Sequence, residues 1–221
     1  MRHLLQPRVL NLASVAALVS AVACYPRLSI WQHRPGPMWY SEAAFFVCCI
    51  MLWGFVFAWH TPYTKRPVFV FNLDAGWVAA ATMAGLVMAA VYYLWLDPLI
   101  KSKFPEDYPP DLPHWLATLP YVLCFNQLFS TFAPFDWLMR LAKNRWVAVT
   151  VTALLGAGVQ ALKIHKLAVP VSPLLLAALL ALRVGGGILA VTFYLRGGIF
   201  LVWWWTFLLE SRLLVDLIGG S

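Results

Sequence analysis

LAVPVSPLLLAALLALRVGGGILAVTFYLRGGIFLVWWWTFLL (Leu167–Leu209) carries only two charged residues, Arg183 and Arg196. It is too long for one bilayer-spanning helix of ~17–25 residues. We read it as two spans. The first, Leu167–Leu195, is interrupted only by Arg183, and the second begins at Gly197 and stays uncharged to Leu209. The turn then falls between Arg196 and Gly197. Arg183 lies 196 − 183 = 13 residues before Arg196, and Glu210 lies 210 − 197 = 13 after Gly197. Two antiparallel helices rising ~1.5 Å per residue would hold both charges at one depth, ~20 Å from the turn. Charges in hydrocarbon face the bundle and find partners, so an intramembrane Arg183–Glu210 ion pair is expected.

Working outward, Val9–Tyr25, Ala43–Trp59, Ala75–Leu96, Trp115–Phe135 and Trp146–Leu162 are also uncharged and of spanning length. The chain of 221 residues is 62% hydrophobic and 11% charged, with mean hydropathy +0.75. A soluble domain carries roughly a quarter charged residues, so lipid is the main solvent here. Period-2 alternation is absent, and an open sheet edge is intolerable in hydrocarbon. The fold class is all-α: a polytopic transmembrane helix bundle of about seven spans, within six to eight, forming one domain over 1–221. Of the twelve tryptophans, most sit near span ends, as an interfacial belt requires; the Trp203-Trp204-Trp205 run lies inside the last span.

The formal charge of +7 does not point to nucleic acid, because the Lys and Arg are scattered through short connections. Seven spans place Arg2, Arg8, Lys65, Arg66, Arg140, Lys143, Arg145 and Arg196 on one side. Arg27, Arg34, Lys101, Lys103, Lys163 and Lys166 lie on the other. The imbalance favours a cytoplasmic N-terminus. The N-terminal MRHLLQPR, apolar run and SAVAC (Ser20–Cys24) also imitate a signal peptide, which we read as a retained first span. Cys24, Cys48, Cys49 and Cys124 show no metal-type spacing and read as buried thiols.

Adjacent amides interrupt VLCFNQLFSTFAPFDWLMRL (Val122–Leu141) at Asn126-Gln127. With FNQLFS, LLGAGVQ ending at Gln160, and YLRGGIF (Tyr194–Phe200), the second half of the chain resembles the CPBP, or Abi/CAAX-protease-like, family of intramembrane proteins. The resemblance covers Pro120–Leu209. In that family one helix carries Glu-Glu-x-x-x-Arg, a later helix Phe-x-x-x-His, and a final helix His with Asn four residues on. Here Phe125 and Asn126 stand at the glutamates, Phe129 at the aromatic, Ser130 at the arginine and Gln160 at the histidine. Phe207 and Ser211 stand at the last His and Asn. The resemblance therefore implies a degenerate member. Phenylalanine cannot accept a proton and an amide has no useful basicity, so glutamate-dependent proteolysis is not expected.

Asn126, Gln127, Ser130 and Gln160 form the candidate polar cluster, which either binds a ligand or joins helices through hydrogen bonds worth ~0.6–1.7 kcal/mol each. Gly156, Gly158 and Gly185–Gly187 read as close-approach positions between helices. No histidine pair has metal-ligand spacing and no HExxH is present, so no metal or cofactor is assigned. His60 is the candidate axial ligand should a pigment be bound. The expected function is binding or scaffolding of another membrane component, a membrane protein or a hydrophobic ligand, within the lipid bilayer. The alternatives are an enzyme acting on a lipid or isoprenoid, and an accessory subunit of a pigment or redox complex.

Overall fold

Small residues decide how the first two helices meet. Ala13, Ala17 and Ala21 recur at four-residue spacing on α1 (Pro7–Ser29), giving a smooth buried stripe that ends at Cys24. Phe45, Cys49, Trp53 and Val56 of α2 (Met38–Thr64) belong to the same core. Van der Waals packing of this kind holds helices together where lipid removes the hydrophobic drive. The Trp53 indole N–H donates to the Ser20 hydroxyl at 3.0 Å across the pair.

The computed structural model describes residues 4–30, 36–166 and 171–219. Arg2, His3, Trp31, His33 and Arg34 lie outside the described residues. Asp74 caps α3 (Ala75–Ile100) by accepting from the Trp77 backbone N–H at 3.0 Å. Asp111 does the same for α4 (Leu112–Ala142), accepting from the His114 N–H at 2.8 Å. Both helices contain π-helical turns: Tyr92–Leu96 in α3, and Tyr121–Asn126 and Leu128–Phe132 in α4. The α4 turns lie between Pro120 and Pro134, each of which removes one backbone donor from the ladder. α5 (Arg145–Lys166) follows after a short connection.

The last helical stretch, Pro173–Gly219, breaks at Gly198, whose φ of 64° and ψ of −159° are not helical. Its two arms, α6 (173–197) and α7 (199–219), fold back on one another. Phe193 and Trp205 are 205 − 193 = 12 residues apart, ~18 Å along a straight helix, yet their ring centroids lie 6.0 Å apart. Among the described residues six helices are long and apolar enough to cross a membrane, and the break in the longest makes seven crossing segments. The turn comes one residue later than the Arg196-Gly197 centre expected from sequence, because Gly198 is the residue with positive φ. Among the described residues, the only β-type pairing is a single antiparallel bridge, Phe69 to Gly198, which docks the α2–α3 connection on this turn.

Close approach fixes the remaining packing. A Cβ on Gly187 of α6 would lie 2.9 Å from the Cα of Ala153 on α5, so only glycine fits there. Gly85 of α3 meets Leu208 of α7 in the same way, at 3.0 Å. Gly158 and Gly185 have open space beside them and play no such part. Of the tryptophan triplet, Trp205 is buried and Trp204 faces outward. The helix order places the ends of α2, α4 and α6 on one side of the bundle with Arg66, Arg140, Lys143, Arg145 and Arg196. On the other side Lys101 pairs with Asp216 at 2.7 Å and Lys163 with Asp107 at 2.5 Å.

Candidate functional site

Asn126 and Gln127 are adjacent on α4 and so face different ways. Gln127 is buried. Its amide N–H donates to the Thr206 hydroxyl of α7 at 3.0 Å, and its carbonyl oxygen accepts from the Thr131 hydroxyl at 3.0 Å. Ser130 donates to the Asn126 backbone carbonyl at 2.6 Å and lies 3.5 Å from the Thr131 hydroxyl. The Gln127 amide is thereby satisfied on both atoms, as a buried polar group requires. Phe125 stacks among Phe45, Tyr121 and Phe129, the nearest ring centroid being 4.5 Å away.

The expected cluster is corrected in two members: Asn126 lends only its backbone carbonyl and lines the groove, and Gln160 stands apart. Gln160 is half-buried on α5 and takes part in none of these hydrogen bonds. The α5 residues at the level of Gln127 are Thr152 and Gly156. Thr152 precedes Gln160 by 160 − 152 = 8 residues, which is ~12 Å along a helix. Thr131, Thr152 and Thr206 complete the polar layer; nothing in the sequence marks a threonine in a span as polar rather than merely tolerated.

Two adjoining spaces flank this layer. A narrow chamber of about 50 Å³ is lined by Gln127, Thr131, Thr152, Trp205 and other residues of α3, α4, α5 and α6. A wider groove of about 290 Å³ lies between α2, α4 and α5, walled by Leu52, Phe55, Phe129, Trp137, Leu155 and Val159, with Asn126 as a polar member. Ser130, Gly156 and Arg183 line both and form the junction. Phe129, Trp137, Leu155 and Val159 are each more than two-fifths exposed, so the groove opens sideways towards lipid.

Arg183 does not pair with Glu210, a second correction. No Arg183–Glu210 bridge forms, although the hairpin brings them into electrostatic range. Arg183 reaches instead towards α5, its Nε 3.8 Å from where a Cβ on Gly156 would stand. The ion pair at this level is Arg212 with Asp97, Nε to Oδ2 at 3.0 Å, and the Tyr108 hydroxyl donates to Asp97 Oδ1 at 2.7 Å. Burial, followed by that bond to Asp97, pushes the Tyr108 phenol well above its ordinary value. In the same loop, bonds from the His114 backbone and ring hold the Asp111 carboxylate below its usual range.

A second polar constellation lies near the opposite end. His60 Nδ1 is 2.9 Å from Asp136 Oδ1, and the Tyr194 hydroxyl donates to Asp136 Oδ2 at 2.9 Å. His60 and Asp136 are completely buried and Tyr194 nearly so, uniting α2, α4 and α6. An ionised Asp136 accepts from a proton on Nδ1; the other ring nitrogen, Nε2, is buried without a partner. His60 lines neither the chamber nor the groove. Among the described residues no group of three His, Cys, Asp or Glu is placed to hold a metal ion.

No family model matches the chain, and neither the curated proteins nor the solved structures contain a significant match. The chain is an integral membrane protein by the length and composition of its helices. What it does there rests on its own geometry.

Proposed function

We propose that this chain is a non-catalytic, CPBP-like membrane protein that binds a second membrane component in the groove between α2, α4 and α5. The observation that carries the reading is the groove of about 290 Å³, exposed on one side and bordered on the other by a polar chamber with which it shares Ser130, Gly156 and Arg183. Supporting the family resemblance, α4, α5 and α7, the helices to which it assigns a site, meet at one layer through Gln127, Thr152 and Thr206. Gln127 rather than Phe125 or Asn126 faces that layer, so the residues there are not the ones the resemblance assigns.

The chamber's own chemistry argues against hydrolysis. Amide, hydroxyl, indole and guanidinium groups line it beside the Tyr92 phenol, and none accepts a proton readily near neutral pH. Asp136 and His60 have the necessary groups but are sealed in the core and bonded to each other. His60 is sealed in the core and lines neither space, which favours the groove over a pigment at His60.

The test is photo-crosslinking of the purified protein in nanodiscs with a diazirine-bearing alkyl probe. Adducts should concentrate on Phe129, Trp137 and Val159. Gly156→Phe, which fills the junction, should suppress them while the protein still purifies as a monodisperse species. Labelling spread evenly over the outer helix faces and indifferent to Gly156→Phe would overturn the reading, as would cleavage of a membrane peptide by the parent protein.

A further inference from the structure

The chamber is rich in donors and short of acceptors. Thr152 is 2% exposed and Trp205 4% exposed. The Thr152 hydroxyl and the Trp205 indole N–H are both buried without a hydrogen-bond partner. An indole N–H can only donate, and a buried donor without an acceptor is costly. Two acceptors of the layer are already engaged: the Gln127 carbonyl oxygen by Thr131, and the Thr206 hydroxyl by the Gln127 amide. What the chamber lacks is a group that accepts several hydrogen bonds at once.

The missing group carries negative charge. Arg183 lines the junction and makes no ion pair with any described residue. Asp97 is committed to Arg212 and Tyr108. Glu210 is in electrostatic range of Arg183 without bonding to it. An intramembrane arginine normally faces the bundle interior and is paired. Here the side chain faces a space with room for a partner: about 50 Å³, against the ~10–15 Å³ that one water requires. That volume accommodates a carboxylate or phosphate head. The apolar groove shares Ser130, Gly156 and Arg183 with the chamber and is exposed along Phe129 and Val159, a path for one chain.

We propose that chamber and groove together bind a single-chain amphiphile with an acidic head, the head against Arg183, Thr152 and Trp205 and the chain along Phe129 and Val159 towards the bilayer. This rests on the groove being a binding site and adds the chemistry of its occupant. Arg183 and the two unbonded donors select the acid, and the groove selects the single chain.

Native mass spectrometry and thermal melts of the full chain test this with hexadecanoic acid, hexadecyl phosphate and hexadecanol. One or both acids should bind with one-to-one stoichiometry and raise the melting temperature; the alcohol should bind at least about tenfold more weakly, as expected when a charged hydrogen bond is lost. The two acids distinguish a carboxylate from a phosphate head. Arg183→Gln should bring the acid's affinity down to the alcohol's. Should that variant fail to purify, Thr152→Val and Trp205→Phe each remove one donor with little change of shape, and each should weaken the acid but not the alcohol. If the alcohol binds as tightly as the acids, or if these variants bind acid like the parent, the acidic head is refuted while the groove stands. If no amphiphile binds and Gly156→Phe changes nothing, both fall. Ordered water alone in the chamber, undisplaced by either acid, would also overturn the proposal.

Discussion

Gly198→Ala should damage this protein more than any other glycine-to-alanine change inside its helical stretches that adds no contact with a neighbouring helix. At φ 64° and ψ −159° the residue occupies a region essentially restricted to glycine. Holding an L-residue there costs about 1–3 kcal/mol. The new Cβ would also stand 2.5 Å from the Val68 carbonyl oxygen and 3.2 Å from the Val70 N. Moving Val68 away breaks the Ile199 N–H bond to that carbonyl, now 3.1 Å, for a further 0.5–1.5 kcal/mol or so. The sum is about 1.5–4.5 kcal/mol, or roughly 3–18 °C at about 2–4 °C per kcal/mol for a chain of this size.

The assay is thermal unfolding in a mild detergent, with Gly158→Ala and Gly185→Ala as controls. Both control sites have nothing within 4 Å of the added Cβ. Alanine is favoured over glycine in a helix by up to about 1 kcal/mol, so both controls should melt at or slightly above the parent. The sign at position 198 therefore decides between two architectures. A continuous helix over Pro173–Gly219 would gain from alanine, whereas a hairpin must lose. Gly198→Ala melting with its controls would refute the turn, the docked Val68–Val70 segment and the seventh span together.

Two further outcomes follow from the polar groups. Asp136→Ala leaves His60 and Tyr194 buried without their common acceptor and should cost about 3–5 kcal/mol, against about 1–3 kcal/mol for Tyr194→Phe; an Asp136→Ala protein that melts like the parent would remove the case for a buried lock. Asp111 has its folded-state pKa depressed below the ordinary 3.8 by the His114 bonds, so its contribution is present above that pH and fades as the pH falls through the lower folded value. Asp111→Asn retains a cap acceptor but not the charge, so it should lower the neutral-pH melt slightly and flatten the acid side of the stability–pH curve; an unaltered acid limb would refute it.

The spans were legible because each is an apolar run of bilayer length, and the hairpin because two glycines follow Leu195-Arg196 with apolar residues on both sides. The level of the last two charges was equally legible: a count of residues from the turn brings Arg183 and Glu210 into range of each other. Their failure to pair was not legible, since rotation about the helix axis decides it. Arg183 turns to α5, where Gly156 leaves space, and the ion pair at this level is Arg212 with Asp97 of α3. Depth comes from counting; azimuth comes from packing.

The same distinction explains the polar layer and the buried triad. Two amides side by side in VLCFNQLFS announced a polar feature, but consecutive helical residues point about 100° apart, and only packing selects Gln127 for the core and Asn126 for the groove. The π-helical turns on either side of Gln127 add to the difficulty, because each π turn shifts the phase of the residues beyond it, and a register carried along α4 at ordinary helical spacing ends on the wrong residue. His60 and Asp136 are 136 − 60 = 76 residues apart, and neither stands in a motif. One inference was nevertheless within reach. With seven spans the ends of α2 and α4 fall on the same side of the bundle, and each carries one ionisable group just inside its last turns. Two such groups at matching depth, one able to donate and the other to accept, are the pair a low-dielectric interior brings together.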